Sequence, residues 1–191
     1  MQIKLATIAA LLASVASPAL ASSKGAVLVN ALHELTGEIT DSTKVVEDLN
    51  LVTFAQKVGT FAAGYKDILN LKNKQNFQDP QGIDPSEEPE VCNAFITLAE
   101  VEKTFLQNVI GKYALFDMTG FKGPVGQLLR ADEQISEVCV PITIHASSET
   151  YHCQTNYFNI LGLVPSCKSD VKAKGEEVSS IFTDAVQKYA S

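Results

Sequence analysis

The chain has no tryptophan, a single arginine (Arg130) and no apolar run long enough to cross a bilayer. Each absence removes a class of function. Carbohydrate-binding surfaces lean on exposed aromatic platforms, so the lack of Trp weakens a lectin reading and leaves only Tyr151, Tyr157 and Phe158 to support one. Phosphate and nucleic-acid recognition needs clustered Arg and Lys. Here 15 basic residues stand against 22 acidic ones, for a net charge of −7. That balance makes nucleic acid or an anionic membrane surface a poor partner. No Asn opens an Asn-x-Ser/Thr acceptor, so N-glycosylation is not expected. Also missing are a G-x-S-x-G elbow, an H-E-x-x-H helix, a Gly-rich phosphate loop and any long period-two alternation that would argue for a sheet.

What is present begins with a leader. Lys4 supplies positive charge, Leu5 to Ala16 is small and apolar throughout, and Ser17-Pro18-Ala19-Leu20-Ala21 follows. Ala19 and Ala21 occupy the small-residue positions that signal peptidase requires. The apolar run is about a dozen residues, against the roughly 20 needed to span a membrane. Residues 1–21 therefore read as a secretory signal peptide and 22–191 as one mature domain. That domain has 191 − 21 = 170 residues and a net charge of 14 − 22 = −8. Its C-terminus is amphipathic, which argues against a GPI anchor.

Secretion sets the reading of Cys92, Cys139, Cys153 and Cys167. An even count in an oxidising compartment predicts two disulfides, and no close C-x-x-C spacing suggests zinc. With residues 141–158 read as helix, Cys139 and Cys153 would lie too far apart to bridge. Of the two pairings left, Cys92–Cys139 with Cys153–Cys167 is preferred, because antiparallel packing would set the start of the third expected helix beside the end of the fourth.

The rest of the pattern is helical. Val29, Leu32 and Leu35 mark a helix over 26–38. After an N-cap cluster at Asp41-Ser42-Thr43, Val45, Leu49, Val52, Ala55, Val58, Ala62, Tyr65 and Leu69 form one long stripe. Gly59 and Gly64 within it suit a close neighbour or a bound molecule. Residues 72–90 hold Pro80, Pro85 and Pro89 among polar residues, so 73–89 reads as an exposed loop. Helices are expected again over 90–116, 125–138, 141–158 and 169–189. The fold class is an all-α, single-domain bundle of five to six amphipathic helices stapled by two disulfides.

Sites for chemistry are scarce. His145, Glu149 and His152 could share a helical face as metal ligands, but a hydrated polar face accounts for them better. Glu100 and Glu102 look like a solvated edge. Disulfide sulfurs are not nucleophiles. No cofactor, metal or catalytic group is expected, and an enzyme is not.

Several segments carry a resemblance. Val46-Glu47-Asp48-Leu49-x2-Val52 with Val58-x2-Phe61-x3-Tyr65 is one. Ile160-Leu161-Gly162-Leu163-Val164 is followed by the other, Asp170-Val171 with Val178-x3-Phe182-x2-Ala185. Together with the leader, this layout resembles the fungal hydrophobic surface binding protein A family, which includes cell-wall galactomannoproteins. The four cysteines and the Pro-rich 73–90 stretch depart from that family's cysteine-poor pattern. The resemblance implies a secreted, all-helical, non-enzymatic domain, associated with a fungal wall or its medium, that adsorbs to hydrophobic surfaces or encloses a fatty acid between helices. The lining expected for such a ligand is Phe61, Tyr65, Phe105, Val109, Ile181 and Phe182, from the widest apolar faces. A different class remains open: a secreted effector or inhibitor working through the 73–89 loop.

The leader makes one direct prediction. N-terminal sequencing of secreted protein should find the mature chain starting within a residue or two of Ser22, and a start deep inside 26–38 would refute the cleavage site.

Overall fold

The computed structural model describes residues 23–74, 83–141, 151–155 and 163–190, with only the backbone described over 136–141 and 151–155. Among these are six α-helices: α1 (Lys24–Glu47), α2 (Phe54–Lys74), α3 (Glu88–Gly111), α4 (Tyr113–Met118), α5 (Lys122–Ser136) and α6 (Lys168–Ala190). A two-stranded antiparallel hairpin joins β1 (Glu137–Pro141) to β2 (Tyr151–Thr155), and a 3-10 turn, Pro165–Cys167, precedes α6. The helical bundle expected from periodicity is present. None of the described helices is long and apolar enough to cross a membrane.

The five long helices close into a ring. Helix α1 packs on α2 and α3, α3 on α6, α6 on α5, and α5 on α2. Each points its apolar stripe inward, and the stripes meet as one core. Its largest fully buried side chains include Phe61 and Tyr65 from α2, Phe95 and Phe105 from α3, and Leu129 from α5. Phe105 reaches across the ring to α2, its ring centroid 6.4 Å from Phe61 and 5.1 Å from Tyr65. Short helix α4 closes one end. Its Phe116 lies 5.5 Å from Phe61 and 6.1 Å from Phe54, centroid to centroid.

Three expectations fail here, each for a local reason. Helix α1 runs straight through Asp41-Ser42-Thr43, because the hydroxyl of Thr43 donates to the Ile39 carbonyl within the helix (2.7 Å). The single stripe over 45–69 is instead broken at 48–53. There the Asn50 side-chain oxygen accepts from the Val52 and Thr53 amides, at 2.9 and 3.1 Å, and the Thr53 hydroxyl donates to the Asp48 carbonyl. These local bonds compete with the helix and turn the chain. Lys112 then spans the turn, donating to the carbonyls of Glu47 (2.8 Å) and Leu49 (2.7 Å). Finally, the helix expected over 141–158 is not formed where the chain is described. Residues 137–141 and 151–155 pair as strands, and β-branched and aromatic residues such as Val138, Val140 and Tyr151 favour that pairing.

Glycine is required at Gly120 and at Gly64. Gly120 has φ +76° and ends α4, letting the Phe121 amide donate back to the Phe116 carbonyl at 2.8 Å. Gly64 lets α1 and α2 approach, since a Cβ there would sit 2.7 Å from the Ser42 hydroxyl. Gly59 has nothing near it and needs no such explanation.

The disulfide pairing differs from the expected one. Cys92, early in α3, bonds to Cys167 in the 3-10 turn, with a Cα–Cα distance of 6.3 Å and 75 residues between them. Antiparallel packing of α3 and α6 brings those ends together, whereas the expected Cys92–Cys139 pairing assumed a helix beyond Pro141. A loop of that length implies roughly 4 kcal/mol of stabilisation in the chain-entropy account. In the hairpin, the backbone register sets Cys139 opposite Cys153. Whether those two form a second bridge lies outside the described side chains. Peptide mapping under non-reducing conditions is expected to recover Cys92 linked to Cys167 and Cys139 linked to Cys153, and a Cys92–Cys139 peptide would contradict the fold.

Candidate functional site

A buried charged cluster sits against the central aromatic residues, and no sequence expectation anticipated it. Lys72, assigned above to the start of an exposed loop, lies in the last turn of α2 and is 7% exposed. Its ammonium donates to Glu102 Oε1 of α3 at 2.5 Å and to Asp132 Oδ1 of α5 at 2.7 Å. The Tyr65 hydroxyl donates to Asp132 Oδ2 at 3.2 Å. From α6, the Phe182 ring covers Lys72, its centroid 5.9 Å from Nζ. Four of the five ring helices thus converge on one ammonium group.

Glu102, read from sequence as part of a solvated edge, is 2% exposed. The structure corrects that reading, while Glu100 is exposed as expected. The signal was present in the spacing. Lys72 falls seven residues after Tyr65, on the same face of α2. Glu102 lies four after Leu98 and three before Phe105, and Asp132 lies three after Leu129. Three charged residues of balancing type occupy core positions of three separate stripes. Charges on apolar stripes are almost never buried unless paired, so the pairing could have been sought.

The electrostatics follow from burial. Desolvation opposes the charge on Lys72, but Asp132 and Glu102 outweigh it and push its pKa above the ordinary lysine range. Lys72 is therefore a fixed cation and not a nucleophile. Burial, with Asp132 next in importance, raises the Tyr65 pKa and keeps its hydroxyl protonated. For Glu102 burial is again the largest influence; it raises the pKa against the opposing pull of Lys72. One ammonium faces two carboxylates, so the cluster carries one excess negative charge when both are ionised. Glu102 Oε2 is buried and has no hydrogen-bond partner among the described residues.

The residues expected to line a ligand fall in different surroundings. Phe61, Tyr65 and Phe105 come together in the core, and Phe182 covers the adjoining Lys72. Val109 is buried one turn beyond Phe105, and its carbonyl accepts the Tyr189 hydroxyl at 2.7 Å. Ile181 is only partly buried and packs at the edge of the core. His145 and Glu149 lie outside the described residues, and His152 is described only as a backbone pair with Val140 in the hairpin.

This fold has a solved counterpart. The chain superposes on the Aspergillus fumigatus mannoprotein AfMP4p, determined in complex with palmitic acid, with a TM-score of 0.58. The match covers 86% of this chain and 99% of that one at 12% sequence identity. The two proteins share a fold. No protein-family model and no characterised protein sequence matches the chain.

Glu102 should make stability pH-dependent in a defined direction. With its folded pKa raised above the ordinary 4.5, the folded state favours the protonated form. Its contribution is complete below that value and is lost as pH rises through the folded pKa. Lys72, raised above 10.5, contributes uniformly below that value. Denaturant titrations from pH 4.5 to 8 should show Glu102→Gln gaining on the parent as pH rises. Lys72→Met, which strands two buried carboxylates, should cost about 3–5 kcal/mol at neutral pH. A Lys72→Met protein as stable as the parent would show that the cluster is not holding the helices.

Proposed function

We propose that this protein is a secreted, non-enzymatic binder of fatty acid or a related acyl lipid, with association to a fungal wall as its setting. The observation that carries the reading is a closed helical ring whose aromatic interior adjoins a polar cluster, in a fold also adopted by a protein solved with palmitic acid. An amphiphile needs both parts. Its chain gains about 0.8 kcal/mol per CH2 removed from water, while its polar end needs a hydrogen-bonding partner once buried. Phe61, Tyr65, Phe105 and Phe182 are the proposed chain contacts, with Val109 and Ile181 farther out. The leader and the cysteine count support secretion.

A second mode, adsorption to hydrophobic surfaces, draws on a separate observation. Leu51, Val52 and Met118 are 70%, 87% and 69% exposed. Leu51 and Val52 lie in the turn before Phe54 and Met118 ends α4, and the Phe54–Phe116 ring contact brings those two elements together at one end of the bundle. The effector or inhibitor reading depends on the 73–89 segment, of which 75–82 lies outside the described residues.

Native mass spectrometry of secreted protein, before and after denaturation, tests the proposal. A co-purifying acyl lipid, or uptake of added palmitic acid by delipidated protein, is expected. Phe105→Ala should weaken that uptake and also cost about 3–5 kcal/mol of stability. A parent protein that takes up no acyl lipid under any condition would remove this reading and leave the protein-interaction class in its place.

A further inference from the structure

The acyl-binding reading leaves open what kind of head group the interior receives, and the charged cluster bears on that question. We infer that Glu102 Oε2 is the receiving atom for a neutral, hydrogen-bond-donating head group, either a long-chain alcohol or a fatty acid in its protonated form, and that a carboxylate anion is disfavoured there. The inference rests on the acyl-binding reading and narrows it.

Three observations support it. First, the hydrogen-bonding capacity of the cluster is divided unevenly. Lys72 donates to Glu102 Oε1 and Asp132 Oδ1, and Tyr65 donates to Asp132 Oδ2, while the second oxygen of Glu102 is buried with no partner. With Glu102 ionised this oxygen is a buried acceptor without a donor, which is costly, so the ligand group that complements the ionised form is one that brings a hydrogen. Second, the charge balance is already negative. A ligand carboxylate would be a third anion beside Glu102 and Asp132, with Lys72 the cation that the described residues place between them, and like charges in a desolvated site repel strongly. Third, the position is right for an amphiphile. Glu102 lies one turn from Phe105 on the buried face of α3, and Lys72 lies two turns from Tyr65 on that of α2, so the charged cluster follows along the same two helix faces as the Tyr65–Phe105 ring pair proposed to contact the chain.

The groups facing Glu102 are Lys72 and Tyr65 from α2 and Asp132 from α5, with Phe182 the neighbouring contribution from α6 and Tyr189 of that helix acting on Tyr65. Lys72 and Tyr65 both keep their protons across the neutral range. A pH effect on binding near neutrality therefore comes from the carboxyl groups of the protein and of the ligand. Palmitic acid must carry or share a proton to pair with Glu102, so its binding should weaken as pH rises. A hexadecanol hydroxyl donates at any pH and should bind with little change.

The test is competition of 1-hexadecanol and palmitic acid against a fluorescent acyl probe at pH 5 and pH 8, using delipidated full-length mature protein. The expected result is a preference for the alcohol at pH 8 of about ten- to hundredfold, the effect of leaving one buried group unpaired. That preference should shrink at pH 5. In Glu102→Gln the amide oxygen can keep the Lys72 contact while the amide nitrogen offers a donor where Oε2 stood. This variant should lose the alcohol preference and accept palmitate at pH 8. A thermal melt of the variant checks folding, and the pH 5 to pH 8 comparison in the parent protein stands without it. Equal binding of acid and alcohol at pH 8 in the parent would overturn the head-group assignment while leaving acyl binding intact. Failure of both ligands to displace or replace the probe at either pH would overturn it together with the acyl-binding reading.

Discussion

The Lys72 ammonium is the group on which the arrangement of the helices turns. It is donated by α2, accepted by α3 and α5, and covered by a ring from α6. Removing these charges from water costs several kcal/mol per ion, and the cluster persists only because each charge meets another within hydrogen-bond distance. A buried pair of this kind is weak evidence for stability but strong evidence about geometry. A helix that slid by one turn would separate Lys72 from its carboxylates, whereas Leu and Val contacts can be replaced by equivalent ones. In this protein the cluster is best understood as setting the register of α2, α3 and α5 around the aromatic centre.

Around that cluster, other constraints work at the ends of the helices. The Cys92–Cys167 bridge holds the start of α3 to the turn before α6. In the same region, Glu88 is buried and accepts the Ser166 amide at 2.9 Å. At the opposite end, Lys112 ties α3 to the carbonyls that finish α1, and α4 folds its Phe116 beneath Phe54. Gly64 and Ser42 set the closeness of α1 to α2. The ring is thus fastened at both ends, with the charged cluster and the Phe61, Tyr65 and Phe105 rings between.

Much of the bundle was legible in the chain. The stripes over 26–38, 90–116 and 169–189 correspond to α1, α3 with α4, and α6, because three- and four-residue spacing of Leu, Val, Phe and Tyr survives any choice of partner. Phe61, Tyr65 and Phe105, expected from their stripes as the lining of a ligand, come together in the core. Less legible were the turn at 48–53, which depends on Asn50 and Thr53 bonding to their own backbone, and the hairpin at 137–155. Short strands carry little periodicity, and a proline at 141 fits a helix start as well as a strand end. The cysteine pairing failed in consequence, since it was argued from a helix over 141–158 where the described residues, 141 and 151–155, are strand.

The charged site itself divides along the same line. Sequence alone determined that Lys72, Glu102 and Asp132 lie on apolar faces, because helical period is a property of local backbone geometry. It also determined the net acidity and the helical class. Only tertiary structure decided that the three charges meet. They are 30 and 60 residues from Lys72 along the chain, and nothing local distinguishes a lysine about to be solvated from one about to be buried. That distinction rests on what faces the residue across the ring. Desolvation penalises a lone charge and opposite charge offsets the penalty, so the environment that buries Lys72 exists only after α2, α3 and α5 have packed.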